Sequence, residues 1–438
     1  MEGTVKMICD NLSVNENGHL CFAGVDTIQL AKEYGTPLYV MDENKIREKC
    51  RIYLDSMRSA FGENALPLYA SKAASFKAIY RIIKEEGLGV DVVSAGEIHT
   101  ALSAGFDLSF AYFHSNNKTD EDIIYAIKNG IGYFVVDSSF ELLAIDRIAK
   151  SEGICQKVLL RLTPGIDPHT YEAVATGKVD SKFGSAIETG QAEEITKLAL
   201  NLGNIELVGF HCHVGSQMFD EAVFVDSAKV MLEFIADIKI KCGYATRELD
   251  LGGGFGVKYT EDDGDINIEK SISLLGSYVK AKCSELDIDM PAIRMEPGRS
   301  IVADAGLTLY TVGTVKEITG YKNYVSVDGG MSDNPRYALY GSSYTVLLAN
   351  RMRDECNFKC SLVGRCCESG DILQENIFLP NNIKRGENIA VLTTGAYNYS
   401  MSSNYNRIHR PALVMLKDKK PYIAVKRETL ENIIENDI

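Results

Sequence analysis

LPLYASKAASFKAIYRIIKEEGLGVDVVS, residues 66–94, decides the fold. LPLYAS is a short apolar run with an aromatic, ending on Ser71 and Lys72; it reads as a buried strand with a polar tip. Phe76, Ile79, Tyr80 and Ile83 then fall at i, i+3, i+4 and i+7, one face of a helix, and Gly87 stands where a helix C-terminus is expected. GVDVVS (89–94) starts the next strand. The unit is strand, polar tip, helix, strand.

The unit recurs outward along the chain. LSFAYFH (108–114), GYFVVDS (132–138), KVLLRLTP (157–164), ELVGFHCH (206–213), RELDLGGG (247–254) and AIRMEPGR (292–299) bring the strands to eight. Between them, Ile195, Leu198, Ala199 and Leu202 mark one helix, and Phe224, Ala228, Met231, Phe234, Ile235 and Ile238 a longer one. Eight β-then-α units predict a (β/α)8 barrel of the TIM type, with an open doubly wound sheet as the alternative. After residue 300 the texture changes to strand-like runs with Gly and Asn turns: LTLYTVGTVKEI, NYVSVDGG, ENIAVLTTGAY, ALVMLKD and PYIAVKR. The expected organisation is a barrel over 36–298 and a mostly β domain, sandwich- or barrel-like, made of 1–35 plus 299–438.

Composition narrows the function. The 438 residues carry a net charge of −14, with no basic cluster, which excludes a nucleic-acid face. No run of 18 apolar residues occurs and the N-terminus has no secretory pattern. The 11 cysteines, scattered without C-x-x-C spacing, argue against a disulfide framework and for a reducing, cytoplasmic setting.

Barrel active sites lie at the C-terminal strand ends. The tips here carry Ser71 and Lys72, Asp91 and Ser94, His114, Asp137, Arg161, His213 with Ser216, Gly252 to Gly254, and Glu296 with Arg299. Lys72, just past a buried strand, is expected to be partly desolvated and hence a nucleophilic amine. Consecutive glycines let backbone N–H groups converge on a phosphate, although LGGGFG matches neither a dinucleotide fingerprint nor a P-loop. Glu296 is a carboxylate at the end of an apolar strand and needs a partner: a protonated ring nitrogen, or Arg294 or Arg299. His211 and His213 alternate on a strand, so only one of them should enter the site, which also argues against zinc. In the second domain CCESGD (366–371) and TGAYNYSMSSNYN (394–406) concentrate a thiol, carboxylates, Tyr, Ser and Asn in loops.

YASKA around Lys72, HVGSQ from His213, GGGFG, EPGR, CESGD and GAY occur in this order, and the chain resembles the fold type III pyridoxal-phosphate decarboxylases over roughly residues 20 to 425. Within that group it is most similar to diaminopimelate decarboxylases, through TPGIDPHTYEAVATGKVDSKFG (163–184), CESGD and MSDNPRYALYG (331–341). It departs at Tyr337, where proline is usual, at Tyr344, where histidine is common, and at Arg365 and Cys366.

The resemblance implies decarboxylation of meso-2,6-diaminopimelate to L-lysine, with pyridoxal 5'-phosphate as cofactor and no metal. It implies that Lys72 carries the cofactor, that His213 stacks on its ring, and that Ser216, Gly252, Gly253, Gly254, Arg299 and Tyr397 hold its phosphate. Glu296 would pair with the ring nitrogen, whereas related racemases use arginine there; Asp91 and Arg161 would line the ring. Arg336 and Tyr340, with Arg299 and Tyr397, are expected at the substrate. Cys367, a proton donor, and Glu368, reading the distal ammonium, would come from the other subunit of a homodimer. The rival readings are a decarboxylase of ornithine, arginine or a carboxylated polyamine, and a regulatory protein without catalysis.

Overall fold

The computed structural model describes residues 7–166 and 181–438. Most of the 163–184 stretch therefore lies outside the described residues. The chain divides into two compact units, one of Glu48–Gly256 with Asp265–Ser300, the other of the chain up to Arg47 with Val257–Gly264 and Ile301–Ile438.

The first unit is a closed parallel barrel. Its strands are β1 (Leu66–Ala70), β2 (Gly89–Val92), β3 (Ala111–Phe113), β4 (Tyr133–Val136), β5 (Gln156–Thr163), β6 (Ile205–His211), β7 (Glu248–Asp250) and β8 (Ala292–Met295). Each pairs with the next, and β8 pairs with β1 to close the ring. The eight expected strands are all present, some shorter than their apolar runs. Leu108–Phe110 is a 3-10 turn rather than strand, because the Asp107 side chain accepts from the Ser109 N–H and tightens the chain there.

Two barrel helices bury the predicted faces, while Gln191–Leu200 buries Ile195 and Ala199 but leaves Leu198 half-buried and ends before Leu202. Lys77–Glu85 buries Ile79, Tyr80 and Ile83, with Phe76 as its N-cap instead of its first turn. Glu221–Cys242 buries Phe224, Ala228, Met231, Phe234, Ile235 and Ile238. Leu68, Tyr112, Val135, Leu159 and Val208 fill the interior. Below the tips, Tyr112 stacks on Tyr133 at 4.2 Å and donates to Glu248 at 2.7 Å, while Arg294 pairs with Glu248 at 3.2 Å. That pairing answers one sequence alternative: Arg294 serves Glu248 rather than Glu296.

Register sets the site. In the parallel ladder His211 lies opposite both Arg161 and Asp250, and Asp91 opposite Ala70. Titratable groups from β2, β5, β6 and β7 thus end at one rim.

The second unit is mostly β. Its sheet runs in the order Ile372–Leu379, Phe358–Val363, Lys322–Val327, Gly306–Ile318, Leu38–Asp42, Ala412–Lys417, Lys420–Val425, with Val346–Leu348 and Asn388–Val391 attached. Leu38, Val40, Leu307, Leu309, Ala390, Val414 and Leu416 pack as its core. The strand Leu38–Asp42 explains why the barrel unit starts later than residue 36: it pairs with Gly306–Ile318 and Ala412–Lys417. Among the described residues, no helix is long and apolar enough to cross a membrane.

Candidate active site

Lys72 occupies a one-turn 3-10 helix, Ser71–Ala73, directly after β1. Glu97 pins that turn, accepting from Ser71 Oγ at 2.7 Å and from the Val93 N–H at 2.8 Å. Ser71 and Ala73 are buried but Lys72 is exposed, which corrects the expectation of a desolvated amine. The tight turn buries its neighbours and leaves the amine projecting. Its charge acts on Asp91, Glu97, His211 and His213.

Behind Lys72 lies a buried cluster. Glu296, just past β8, has Oε2 3.2 Å from His211 Nε2 and Oε1 2.7 Å from His114 Nε2. The second contact is close but off the hydrogen-bond line, so among the described residues Oε1 has no aligned donor, and neither has Asp91 Oδ1. Burial pushes the Glu296 carboxyl up, but the charges and N–H groups of His114 and His211 more than reverse this and hold it well below the usual carboxylate range. Burial pushes Asp91 to about 6 and Asp250 well above its ordinary value. Arg161 lies over the Phe183 ring at 4.3 Å; burial lowers the pKa of its guanidinium, opposed by the charges of Asp137, Glu296 and Asp91. Gly184, at φ +72, donates to Asp137 at 3.0 Å, fixing the turn that carries Phe183.

Both histidines of GFHCH face this cluster, contrary to the alternation argument. β6 ends at His211, so His213 is no longer bound by strand geometry. The Gly253 N–H donates to His213 Nδ1 at 3.2 Å. Burial, with the Lys72 and Arg161 charges, pushes the His213 ring well below its ordinary pKa, so it is a neutral, oriented plate.

The glycine triplet is dictated by packing. A Cβ on Gly253 would lie 2.1 Å from the Glu296 carbonyl oxygen, and Gly252 is at φ +68. Only glycine lets these tips approach. Beside them Arg299 Nη2 donates to Ser216 Oγ at 2.9 Å.

In the second unit Arg336 is buried, yet among the described residues no carboxylate pairs with it. Tyr344 and Tyr259 hydroxyls accept from its Nη1 at 2.9 and 3.3 Å, and the Tyr259 and Tyr397 rings lie 5.5 and 5.4 Å from its guanidinium. The departure at Tyr344 is thus explained: its hydroxyl holds Arg336. Tyr337 donates to Glu375 at 3.2 Å. Tyr340, at the end of the short helix Arg336–Tyr340, is 47 % exposed.

Asp371 links two motif loops, accepting from the Met331 and Cys366 N–H groups at 2.6 Å each. Cys367 and Glu368 lie in an exposed turn. The Cys367 N–H donates to Asn406 at 2.7 Å, and the Gly370 N–H holds the Glu368 carboxyl below its usual range.

Asp333 anchors the Arg336 segment, accepting from Tyr310 at 2.5 Å and from the Gly330 N–H at 2.8 Å. Burial pushes its carboxyl up to about 7. A carboxyl raised in the fold binds more protons there than in the unfolded chain. Its contribution to stability is full below the ordinary carboxylate range and is lost as pH rises through about 7. Asp333→Asn should therefore flatten the fall in Tm between about pH 4 and pH 7. Calorimetry across that range checks it; a slope equal to the wild type's would refute the assignment.

Sequence reasoning gave no role to His114 or Asp250. His114 stood among the strand tips, and Asp250 sits in RELDLGGG just before the glycines, but nothing local showed that both would meet Glu296. His114, His211, Asp250 and Glu296 each bring one potential ligand atom within 4.8 Å of the others. That spread is wider than the edge of about 3.3 Å that tetrahedral zinc requires at ligand distances near 2.0 Å. The imidazole–carboxylate contacts account for the grouping.

The donor set fits pyridoxal phosphate. A projecting amine suits its aldehyde, and a buried carboxylate with an unanswered oxygen suits a protonated ring nitrogen. A neutral imidazole plate suits its face, and an arginine–serine pair beside glycine N–H groups suits its phosphate.

The family described as pyridoxal-dependent decarboxylase, pyridoxal binding domain, matches residues 43–303. The chain is 45% identical over 424 residues to the diaminopimelate decarboxylase of Bacillus subtilis, covering 97% of this chain and 96% of that one. It is 44% identical to that of Staphylococcus aureus, covering 97% and 98%. The crystal structure of a diaminopimelate decarboxylase from M. jannaschii in complex with L-lysine superposes with a TM-score of 0.91, at 33% identity and 99% coverage of each chain.

Proposed function

Because this chain belongs to the pyridoxal-dependent decarboxylases, among the diaminopimelate decarboxylases, we propose that its barrel end binds pyridoxal phosphate on Lys72. The enzyme converts meso-2,6-diaminopimelate to L-lysine and CO2, closing lysine biosynthesis. The observation that carries the reading is Glu296, a buried carboxylate held ionised at the same barrel rim as Lys72.

Pyridoxal phosphate supplies an electron sink for the pair left behind by departing CO2. The residues of this chain make that sink effective. Glu296 favours the protonated ring nitrogen, as an anion beside a cation does. His213, neutral and fixed by the Gly253 N–H, supports the ring face. Asp91 and Arg161 line the ring, and Ser216, Arg299 and the N–H groups of Gly252 to Gly254 take the phosphate, with Tyr397. Arg336 binds a substrate carboxylate, assisted by Tyr340. Cys367 Sγ delivers the proton that replaces CO2, and Glu368 reads the distal ammonium.

Cys367 and Glu368 are exposed in their own chain. We assign them to the active site of a second copy, which makes the working form a homodimer. The setting we favour is the cytoplasm, in keeping with 11 free thiols.

The test is CO2 release from meso-diaminopimelate, ornithine and arginine side by side, with pyridoxal phosphate present. Release from diaminopimelate with stoichiometric lysine is expected. Release from ornithine or arginine alone would overturn the substrate, and a colourless, inactive protein would overturn the cofactor.

A further inference from the structure

His114 and His211 come from two different strands, the tip of β3 and the end of β6, and flank one carboxylate. Their rings meet edge-on at 4.8 Å, and each places Nε2 against a different oxygen of Glu296. All three side chains are buried. The other charged or titratable groups around Glu296 are Lys72 beyond β1, Asp91 from β2, Arg161 from β5, Cys212 and His213 beyond β6 and Asp250 from β7. Asp91 is also 3.9 Å from His114 Nε2.

Glu296 behaves unlike its neighbours. Burial raises the carboxyls of Asp91 and Asp250, which share the same floor. Glu296 alone is lowered, and it alone touches two imidazoles. Burial pushes both rings below the ordinary histidine value. His211 Nε2 is within hydrogen-bond distance of Oε2 at 3.2 Å, and His114 sets its Nε2 2.7 Å from Oε1 without an aligned bond. Among the described residues His211 Nδ1 has no hydrogen-bond partner in its buried setting, which suits a bare nitrogen with the proton on Nε2.

We infer that His114 and His211 are positioning residues that keep Glu296 a carboxylate and aim it at the ring nitrogen of the cofactor. This rests on the functional reading above, which gives Glu296 that partner. Neither histidine needs to touch substrate. Each acts through Glu296, and each should be replaceable by a side chain that keeps an N–H near the Nε2 position.

The experiment compares His114→Leu and His211→Leu with His114→Gln and His211→Gln as holoenzymes. The leucine variants should lose kcat roughly 10- to 100-fold, the worth of a hydrogen bond to a charged group. KM should stay within about threefold, because substrate binding does not use these rings. The pH dependence of the cofactor's absorbance should shift in the leucine variants, and the apoprotein should bind pyridoxal phosphate roughly tenfold more weakly. Glutamine should restore most of each effect.

Leucine variants that melt normally and match the wild type in kcat and absorbance titration would overturn the inference alone. A wild type that never takes up pyridoxal phosphate would overturn the functional reading and this inference with it. Should the leucine variants fail to fold, nitrogen-15 shifts of the wild-type imidazoles decide: a proton on Nε2 of both rings supports the inference, and a bare Nε2 on either ring overturns it for that ring.

Discussion

Lys72→Ala is expected to fold normally and to release CO2 from diaminopimelate at least ~10^3-fold more slowly than the wild type, as removal of a covalent catalytic group does. The fold should survive because Lys72 is exposed, in a turn held by Ser71 and Glu97 rather than by the lysine stem. The chemistry should not survive, because the amine is the group that fixes the cofactor. A visible absorbance band from bound cofactor should vanish with it. Removing the cation also changes the floor: Lys72 lowers Asp91 and depresses His213, so both groups should titrate at higher pH in the variant. Activity within tenfold of the wild type would remove Lys72 from its assigned role.

Arg336→Ala carries the second large effect, and it tests substrate rather than cofactor. The guanidinium is buried, oriented by Tyr344 and Tyr259, and flanked by the Tyr397 ring. Taking it away should lower kcat/KM for diaminopimelate by roughly 10^2- to 10^3-fold, the scale of a truncated buried charge pair. Turnover of ornithine, which has no distal carboxylate, should change little. Loss with both substrates would place Arg336 in general catalysis or folding. No loss with either would favour a substrate without a second carboxylate.

The barrel was legible because its signal is repeated and local: eight apolar runs, each with a polar tip, and amphipathic segments between them. Polar groups at one rim followed from the parallel topology, and Lys72, Glu296 and Arg299 were identified from that alone. Readings failed where a local rule stopped applying. Strand alternation separated His211 from His213, yet β6 ends at His211 and both turn inward. Partial desolvation was expected of Lys72 from the strand before it, but in its 3-10 turn the residue is exposed. Pairings across distance were not legible. Glu296 and His211 are 85 residues apart, and only barrel register brings them to 3.2 Å. Tyr259 and Tyr344, which bond Arg336, show the same limit: neither segment reveals that partner. Tyr344 stood out as a departure from the family, and its meaning emerged only from the bond to Arg336.

The unanswered oxygen of Glu296 has a thermodynamic consequence. A walled-in carboxylate oxygen lacking an aligned donor among the described residues is a cost carried by the native state and absent from the unfolded chain. Whatever cation relieves it binds the native state selectively, so cofactor occupancy and global stability are linked functions. Saturation at about 100 times Kd would add roughly 2.7 kcal/mol. The melting temperature of this protein is then a property of its vitamin supply as well as of its sequence, and starved cells would hold a pool that unfolds and is degraded sooner.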